Sequence, residues 1–316
     1  MTASTNDLEK RLTELMKDVP TRGFKRHPLI LKNIYDLTPE LQSPAVTALA
    51  AREALQTIIA FPPQIHRGWH YVPKQALLFT PTEVIHLLAS IWPDQEPQVT
   101  SIKGSDLMYM NVTLILLYGF LEIVAQGDSS PSRLSVEFNT VAWYQLSPPI
   151  RQLLQAAKAT SGASIDKTTY SPAAQQAFEK LPLKFSNGLQ IYGVLPGEEL
   201  EDLVFQPGTW KPRLLLFRQN ITANTLLLLT TNYMVALREE LNVSHGWIIT
   251  YIPRNSIMGI QNQPRNLCNE LTVQLKRGDQ TAEYKLLLKN GAAQDWREKL
   301  IQRGYQWDDL PGVYDA

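Results

Sequence analysis

The chain is 316 residues long, 44% apolar and 19% charged, and its thirty basic residues balance its thirty acidic ones. That length exceeds what one hydrophobic core usually organises, so two domains are expected, in an ordinary soluble globular composition. The balance is also local. Residues 1–55 carry eight positive and seven negative groups, 56–160 six and seven, and 161–316 sixteen and sixteen, which excludes nucleic-acid binding through bulk charge.

The single cysteine, Cys268, allows no intramolecular disulfide and no zinc ribbon, as suits a reducing compartment. The first residues, MTASTNDLEKRLTELMKD, are charged throughout and lack the apolar core of a signal peptide. The most apolar run, VTLILLYGFLEIVA, is too short to cross a bilayer and contains Glu122. A cytoplasmic protein is expected, in which the sequons at Asn111, Asn220 and Asn242 are incidental.

The first sixty residues read as helical. Asn6 and Glu9 have capping-pair spacing, Leu8, Leu12, Leu15 and Met16 form a stripe behind them, and Pro20 ends the helix. Ser43-Pro44 predicts a second helix through AVTALAAREALQTIIA, ending before Pro62-Pro63. KQALLFTPTEVIHLLASIW then reads as two strands around Pro81-Thr82. VTLILLYGFLEIVAQGDSSPSRLSVEFNTVAWY reads as a hairpin whose loop is QGDSSPS. Ser147-Pro148-Pro149 opens a helix with Ile150, Leu153, Leu154 and Ala157 on one side.

ATSGASIDKTTYS reads as a surface linker, and Ser171-Pro172 caps a short helix. Strands are expected at FSNGLQIYGVL, KPRLLLFRQ, NTLLLLTTNYMVALREE and GWIITYIPRNSIMGI, followed by the hairpin ELTVQLKRGDQTAEYKLLL. A helix over 292–303 closes the series, with Trp296 and Leu300 one turn apart. Both halves thus predict several strands, a last hairpin and one terminal helix. Sliding the sequence on itself by 150 residues gives nine identities between 76–138 and 226–288: Leu77, Leu78, Thr80, Leu87, Thr100, Ile102, Met108, Leu117 and Leu121. A duplicated β-rich domain is the expectation.

LPGEELEDLVF, LLLLTTNYMVAL, YIPRNSIMGI and LTVQLKRGDQTAEYKLLL, followed by a Trp-bearing helix, together resemble the bacterial pleckstrin-homology-like domains. The resemblance covers 183–303 and, through the repeat, 60–158. The first copy lacks the Pro-Gly-Glu lead-in and has Lys103 where the second has Pro253. The resemblance implies a mainly β fold with helices: tandem bent antiparallel barrels, each closed by a C-terminal helix. The expected organisation is an N-terminal helical segment (1–59), a first such domain (60–160), a linker with a short helix (161–182), a second domain (183–305) and a tail (306–316).

The stretch HRGWH places His66 and His70 four apart, the spacing of a helical zinc site. A zincin needs a glutamate beside the first histidine, and here Arg67 and Gly68 follow it, among helix-breaking prolines at 62, 63 and 73. On a later strand His86 could make a third ligand, with Glu83 nearby. An entry strand whose polar and aromatic residues line the rim of a barrel is the plainer reading. No nucleophile elbow, P-loop or dinucleotide fingerprint is present, which removes the common nucleotide-using classes but not every enzyme, since catalytic groups converge in space. A protein without catalysis or cofactor is the expectation.

In the pleckstrin-homology fold, basic residues around the first hairpin grip phosphoinositides. GTWKPRLLLFRQN places Lys211, Arg213 and Arg218 there, with Trp210 able to touch an interface. Arg277-Gly278-Asp279 spells an integrin-binding tripeptide but sits where a hairpin must turn. Lys25-Arg26-His27 reads as a solvated loop. The expected function is a non-catalytic binding or scaffold protein that recognises a protein or peptide. Anionic membrane binding through Lys211, Arg213 and Arg218 is the first alternative, and a metal or small-molecule enzyme using His66, His70 and His86 the second. No nucleic-acid partner is expected.

Overall fold

The structure, a computed structural model, describes the chain apart from residues 1–4, 18, 20–26, 51, 53, 67–69, 159–167, 214–216, 242 and 314–316. The side chains of residues 5, 6, 66, 70, 212, 213, 217–219 and 244 also lie outside the description. Lys25 and Arg26 therefore fall outside it, as does most of the expected linker.

The chain opens with α1 (Thr5–Lys17), β1 (Leu29–Leu31) and α2 (Pro39–Leu49). Next come β2 (Thr57–Phe61), the small hairpin β3 (Gln64–His66) and β4 (His70–Val72), then β5 (Gln75–Phe79), β6 (Glu83–Leu88) and β7 (Gln98–Lys103). A 3-10 turn at Gly104–Asp106 leads to β8 (Leu107–Ile115), β9 (Tyr118–Ala125), β10 (Ser132–Asn139) and α3 (Trp143–Ala156). Then follow β11 (Thr169–Tyr170), α4 (Pro172–Phe178), α5 (Leu183–Gly188), β12 (Glu199–Gln206) and a second hairpin, β13 (Thr209–Arg213) and β14 (Phe217–Thr222). The strands β15 (Thr225–Thr230), β16 (Tyr233–Glu240) and β17 (Val243–Pro253) precede a 3-10 turn at Arg254–Ser256. The last elements are β18 (Ile257–Pro264), β19 (Asn269–Arg277), β20 (Gln280–Leu288), α6 (Asn290–Gln302) and β21 (Trp307–Asp309).

The fold is mainly β and divides into two compact units. One contains residues 1–105 and 137–156, the other 106–136 and 157–316. Among the described residues no sheet closes on itself, so the expected barrels are not closed ones: the strands form open sheets of five, eight and four, plus the two small hairpins.

In the first unit the sheet order is β1-β2-β5-β6-β7. Its core joins Leu37, Leu41 and Ala45, at and within α2, to Ile58, Leu78, Ile85 and Leu87 of the sheet. The helix expected from Ser43 to Ala60 is corrected at both ends. It starts at Thr38-Pro39, where proline suits the first turn, and Pro44 lies inside it. The Thr57-Ile58-Ile59 run is strand, because β-branched side chains pack well on a pleated sheet and here pair with β5. Helix α3 starts at Trp143 rather than Ser147, after Asn139 caps the preceding 3-10 turn. It buries Ile150, Leu153 and Leu154 as expected, and it crosses so close to Gly104 that a Cβ there would stand 2.7 Å from the Leu153 carbonyl oxygen.

In the second unit the eight-stranded sheet runs β10-β9-β8-β17-β16-β15-β12-β11. Strand β17 continues into β8 as an antiparallel neighbour, from Trp247 opposite Leu114 to Tyr251 opposite Met110. The apolar run read as one hairpin arm is two strands, β8 and β9, reversing at Leu116, whose φ of 51° is left-handed. FSNGLQIYGVL is helical rather than extended: α5 and a following wide turn bury Phe185 and Leu189, four residues apart on one face. The four-stranded sheet runs β20-β19-β18-β21. Over it lies α6, whose Trp296 is among the largest fully buried side chains of the chain. Asp202 on β12 pins that helix through Lys299 at 2.7 Å and Arg303 at 3.0 Å.

The 3-10 turns at Gly104–Asp106 and Arg254–Ser256 lie 150 residues apart, and so do the starts of β5 and β15, β6 and β16, and β8 and β18. The turns into β6 and β16 are closed alike. The Thr80 hydroxyl accepts the Glu83 amide at 3.1 Å, and the Thr230 hydroxyl accepts the Tyr233 amide at 3.1 Å.

Candidate functional site

The inserted hairpins stand at corresponding places, β3–β4 before β5 and β13–β14 before β15. Beside each lies a cleft, bordered on its other side by the connection that follows β6 or β16.

In the first unit the cleft has a volume of about 650 Å³ and is lined by Tyr71, Lys74, Trp92, Asp94 and Glu96. The amphipathic helix α1 contributes Arg11 and Leu15 to the same lining. The Arg11 Nε–H donates to the Ile91 carbonyl at 2.9 Å, and Lys74 meets Glu40 at 2.9 Å. The chain's own N-terminal helix thus reaches into this opening.

In the second unit two adjoining clefts share Thr222, Ala223, Glu239, Glu240 and Leu241, and have volumes of about 440 and 250 Å³. The outer one is framed by Trp210, which is 50% exposed, with Thr209 and Asn220. Hydrogen bonding between Thr209 and Thr222 fixes the base of this hairpin, with the Thr209 amide 3.1 Å from the Thr222 hydroxyl. The inner one is largely apolar, with Ile221, Ala236, Ile248 and Leu286 around the Arg238 stem. The Arg238 Nε is buried without a hydrogen-bond partner, a donor whose desolvation is uncompensated. Glu239 is held by Lys184 and by the Asn224 side chain, and the half-buried Glu240 lines both clefts.

This arrangement suits an apolar side chain with a cationic neighbour. An exposed indole and a carboxylate both attract ammonium or guanidinium groups. Lys211 is exposed on β13, and Arg213 and Arg218 are placed in the hairpin by backbone pairing, their side chains outside the description. The opening beneath Trp210 presents carboxylates. These residues were missed in sequence; the only sign was the charged run Arg238-Glu239-Glu240 at a strand end.

HRGWH spans a hairpin, with His66 directly opposite His70 across the β3–β4 ladder and residues 67–69 outside the description. His86 lies on β6, 6% exposed, with its Nε2 2.9 Å from the Gln75 side-chain oxygen. Burial drives its pKa from 6.5 down to about 4, as expected for an imidazole kept neutral. Glu83 is committed to Arg52 at 2.9 Å. Among the described residues no three histidine, cysteine, aspartate or glutamate side chains gather to hold a metal.

Gly278 takes the left-handed conformation (φ 52°) at the β19–β20 reversal, and Arg277 donates to the Leu107 carbonyl at 3.2 Å. The tripeptide is hairpin geometry. Among the described residues no helix is long and apolar enough to cross a membrane. No family model matches this chain, and a search of curated proteins finds no match.

Proposed function

We propose that this chain is a non-catalytic binding protein of two related pleckstrin-homology-like halves, and that the opening of the second half takes a segment of a protein partner. The halves' relationship is supported by their shared element order at an offset of 150 residues. One observation carries the binding reading. The opening of the first half is lined by the chain's own helix α1, whereas among the described residues no helix lines the second, α5 reaching it only through Lys184 on Glu239. The connections that border the two openings correspond as well: Ile91, whose carbonyl receives Arg11, stands 150 residues before Leu241.

The partner segment is then expected to resemble α1 in kind, a basic residue one helical turn from an apolar one, like Arg11 and Leu15. The basic group faces Glu240 and Trp210, and the apolar group enters the inner cleft. Selection from an immobilised random-peptide library is expected to enrich this pairing. Trp210→Ala or Glu240→Lys is expected to weaken the selected peptides about tenfold. Peptides that bind both variants as well as the parent would place the partner elsewhere.

The exposed Trp210 beside Lys211 favours a second reading, attachment to an anionic membrane surface. Under that reading phosphatidylserine vesicles sediment the protein at low salt, and Lys211→Ala releases it. Glu240→Lys separates the two readings, since it strengthens attachment to vesicles and weakens binding of basic peptides.

A further inference from the structure

The strand edges of the two halves are filled unequally. In the second unit β17 pairs along its outer side with β8. Strand β7 stands 150 residues before the C-terminal part of β17, yet it is the last strand of its sheet, and among the described residues no strand pairs with its outer side. The converse holds at β18, the counterpart of β8. Where Met110–Val112 of β8 receive β17, the corresponding Ile260–Asn262 of β18 receive only β21, a parallel pairing of three residues from Trp307 to Asp309.

Pro97 precedes β7 and Lys103 ends it, and the five residues between them carry none of the usual protection of an edge strand. Gln98, Val99, Thr100, Ser101 and Ile102 include no charge and no proline, and the pairing with β6 runs without a bulge. The Gly104 amide donates to the Thr82 carbonyl. Alternation along an antiparallel ladder then turns the 98, 100 and 102 backbone groups toward β6, and those of 99 and 101 outward. Val99 is 45% exposed.

We propose that β7 of one copy adds, antiparallel, to β18 of a second copy, in the register that β17 and β8 use, and that β21 is the strap that opposes this addition. The occupant is a second copy because this chain itself holds both halves of the complementary pair, one open and one covered by β21 and, beyond it, by Val313 beside Arg265. Carrying the register over by 150 sets Val99 opposite Asn262, Thr100 opposite Gln261 and Ser101 opposite Ile260, with no like charges facing. The strap is held by the Leu310 amide on the Asn262 carbonyl at 2.8 Å, the Ile260 amide on the Gln306 carbonyl at 3.0 Å, and Asp309 against Arg297 at 3.1 Å. Its release exposes the edge of β18. The resulting assembly is head-to-tail, so it continues beyond two copies unless a ring closes. This inference is independent of what the clefts bind.

The full chain carrying Asp308→Pro and Leu310→Pro loses strap hydrogen bonds without shortening, since proline has no amide to donate. Sedimentation velocity over a wide concentration range is expected to show its association constant raised about tenfold or more over the parent. Val99→Pro blocks the outward side of β7 while sparing the β6 ladder, because proline is tolerated on an edge. The triple variant alone should remain monomeric, yet pair one-to-one with the parent chain through its freed β18. Circular dichroism melting establishes that each variant is folded. Monomers throughout, in folded strap-released protein, would overturn the proposal. So would association that Val99→Pro abolishes but strap release does not raise, which would indicate symmetric pairing of two β7 edges.

Discussion

Replacing Glu198 by alanine is expected to destabilise the second unit by about 3–5 kcal/mol, the cost of breaking a buried, hydrogen-bonded ion pair from one side. Glu198 is 1% exposed. Its carboxylate accepts from the Thr230 hydroxyl at 3.0 Å, the Asn232 amide at 2.8 Å and the Asn232 side chain at 2.9 Å, and meets Lys158 at 2.9 Å. It therefore holds the reversal between β15, buried throughout, and the buried first part of β16. The alanine variant leaves the Asn232 amide without its carboxylate acceptor and the largely buried Lys158 ammonium without its counter-charge, though Lys158 keeps the Pro196 carbonyl at 3.4 Å. Equilibrium urea unfolding measures the loss. Glu198→Gln, which keeps an acceptor oxygen, is expected to lose less. Equal losses in both variants would assign the stability to the charge alone, and no loss in either would remove Glu198 from the scaffold.

Acid is expected to weaken the first unit through His86. Its folded pKa, about 4, lies below the unfolded value of 6.5. Between those values the unfolded chain binds the proton and the folded chain does not. Stability therefore falls as pH drops through 6.5, and the loss is complete below about 4. The full effect is roughly 3 kcal/mol. His86→Gln keeps a polar partner for Gln75 and removes the titration. The urea midpoint of this variant is expected to fall less between pH 7 and pH 4 than that of the parent. Parallel acid limbs in the two proteins would show that another group titrates.

Elements marked by a strong local signal were legible in the sequence. Ser171-Pro172 announces α4, and the Ser171 hydroxyl does accept the Ala174 amide at 3.1 Å. Thr80 and Thr230, one of the nine identities, occupy equivalent turns because a hydroxyl at that position can accept the amide three residues on. Trp296 and Leu300, one turn apart, mark the buried face of α6.

The misreadings have physical causes. The Ala- and Leu-rich stretch before Thr57 carried the helical reading into a strand that only its β-branched residues distinguish. Leu116 and Leu117 turn the chain without glycine, asparagine or aspartate, so nothing in their composition signals a reversal. FSNGLQIYGVL is short enough for its apolar spacing to fit either period.

The candidate opening was half visible. Trp210 and Lys211 lie in a stretch whose spacing draws attention, but Arg238, Glu239 and Glu240 reach it only because β16 ends beside the β13–β14 hairpin. Such a meeting depends on topology rather than on neighbours in the sequence.

The bond between β17 and β8 also limits how the chain can be divided. A fragment cut at the sequence midpoint would separate residues 107–125 from the strands they complete. It would leave Trp247 to Tyr251 as a raw margin of unsatisfied amides and carbonyls, ready to stick to any extended neighbour. A protease that nicks the chain between its halves would therefore yield pieces that stay clasped together until denaturant parts them.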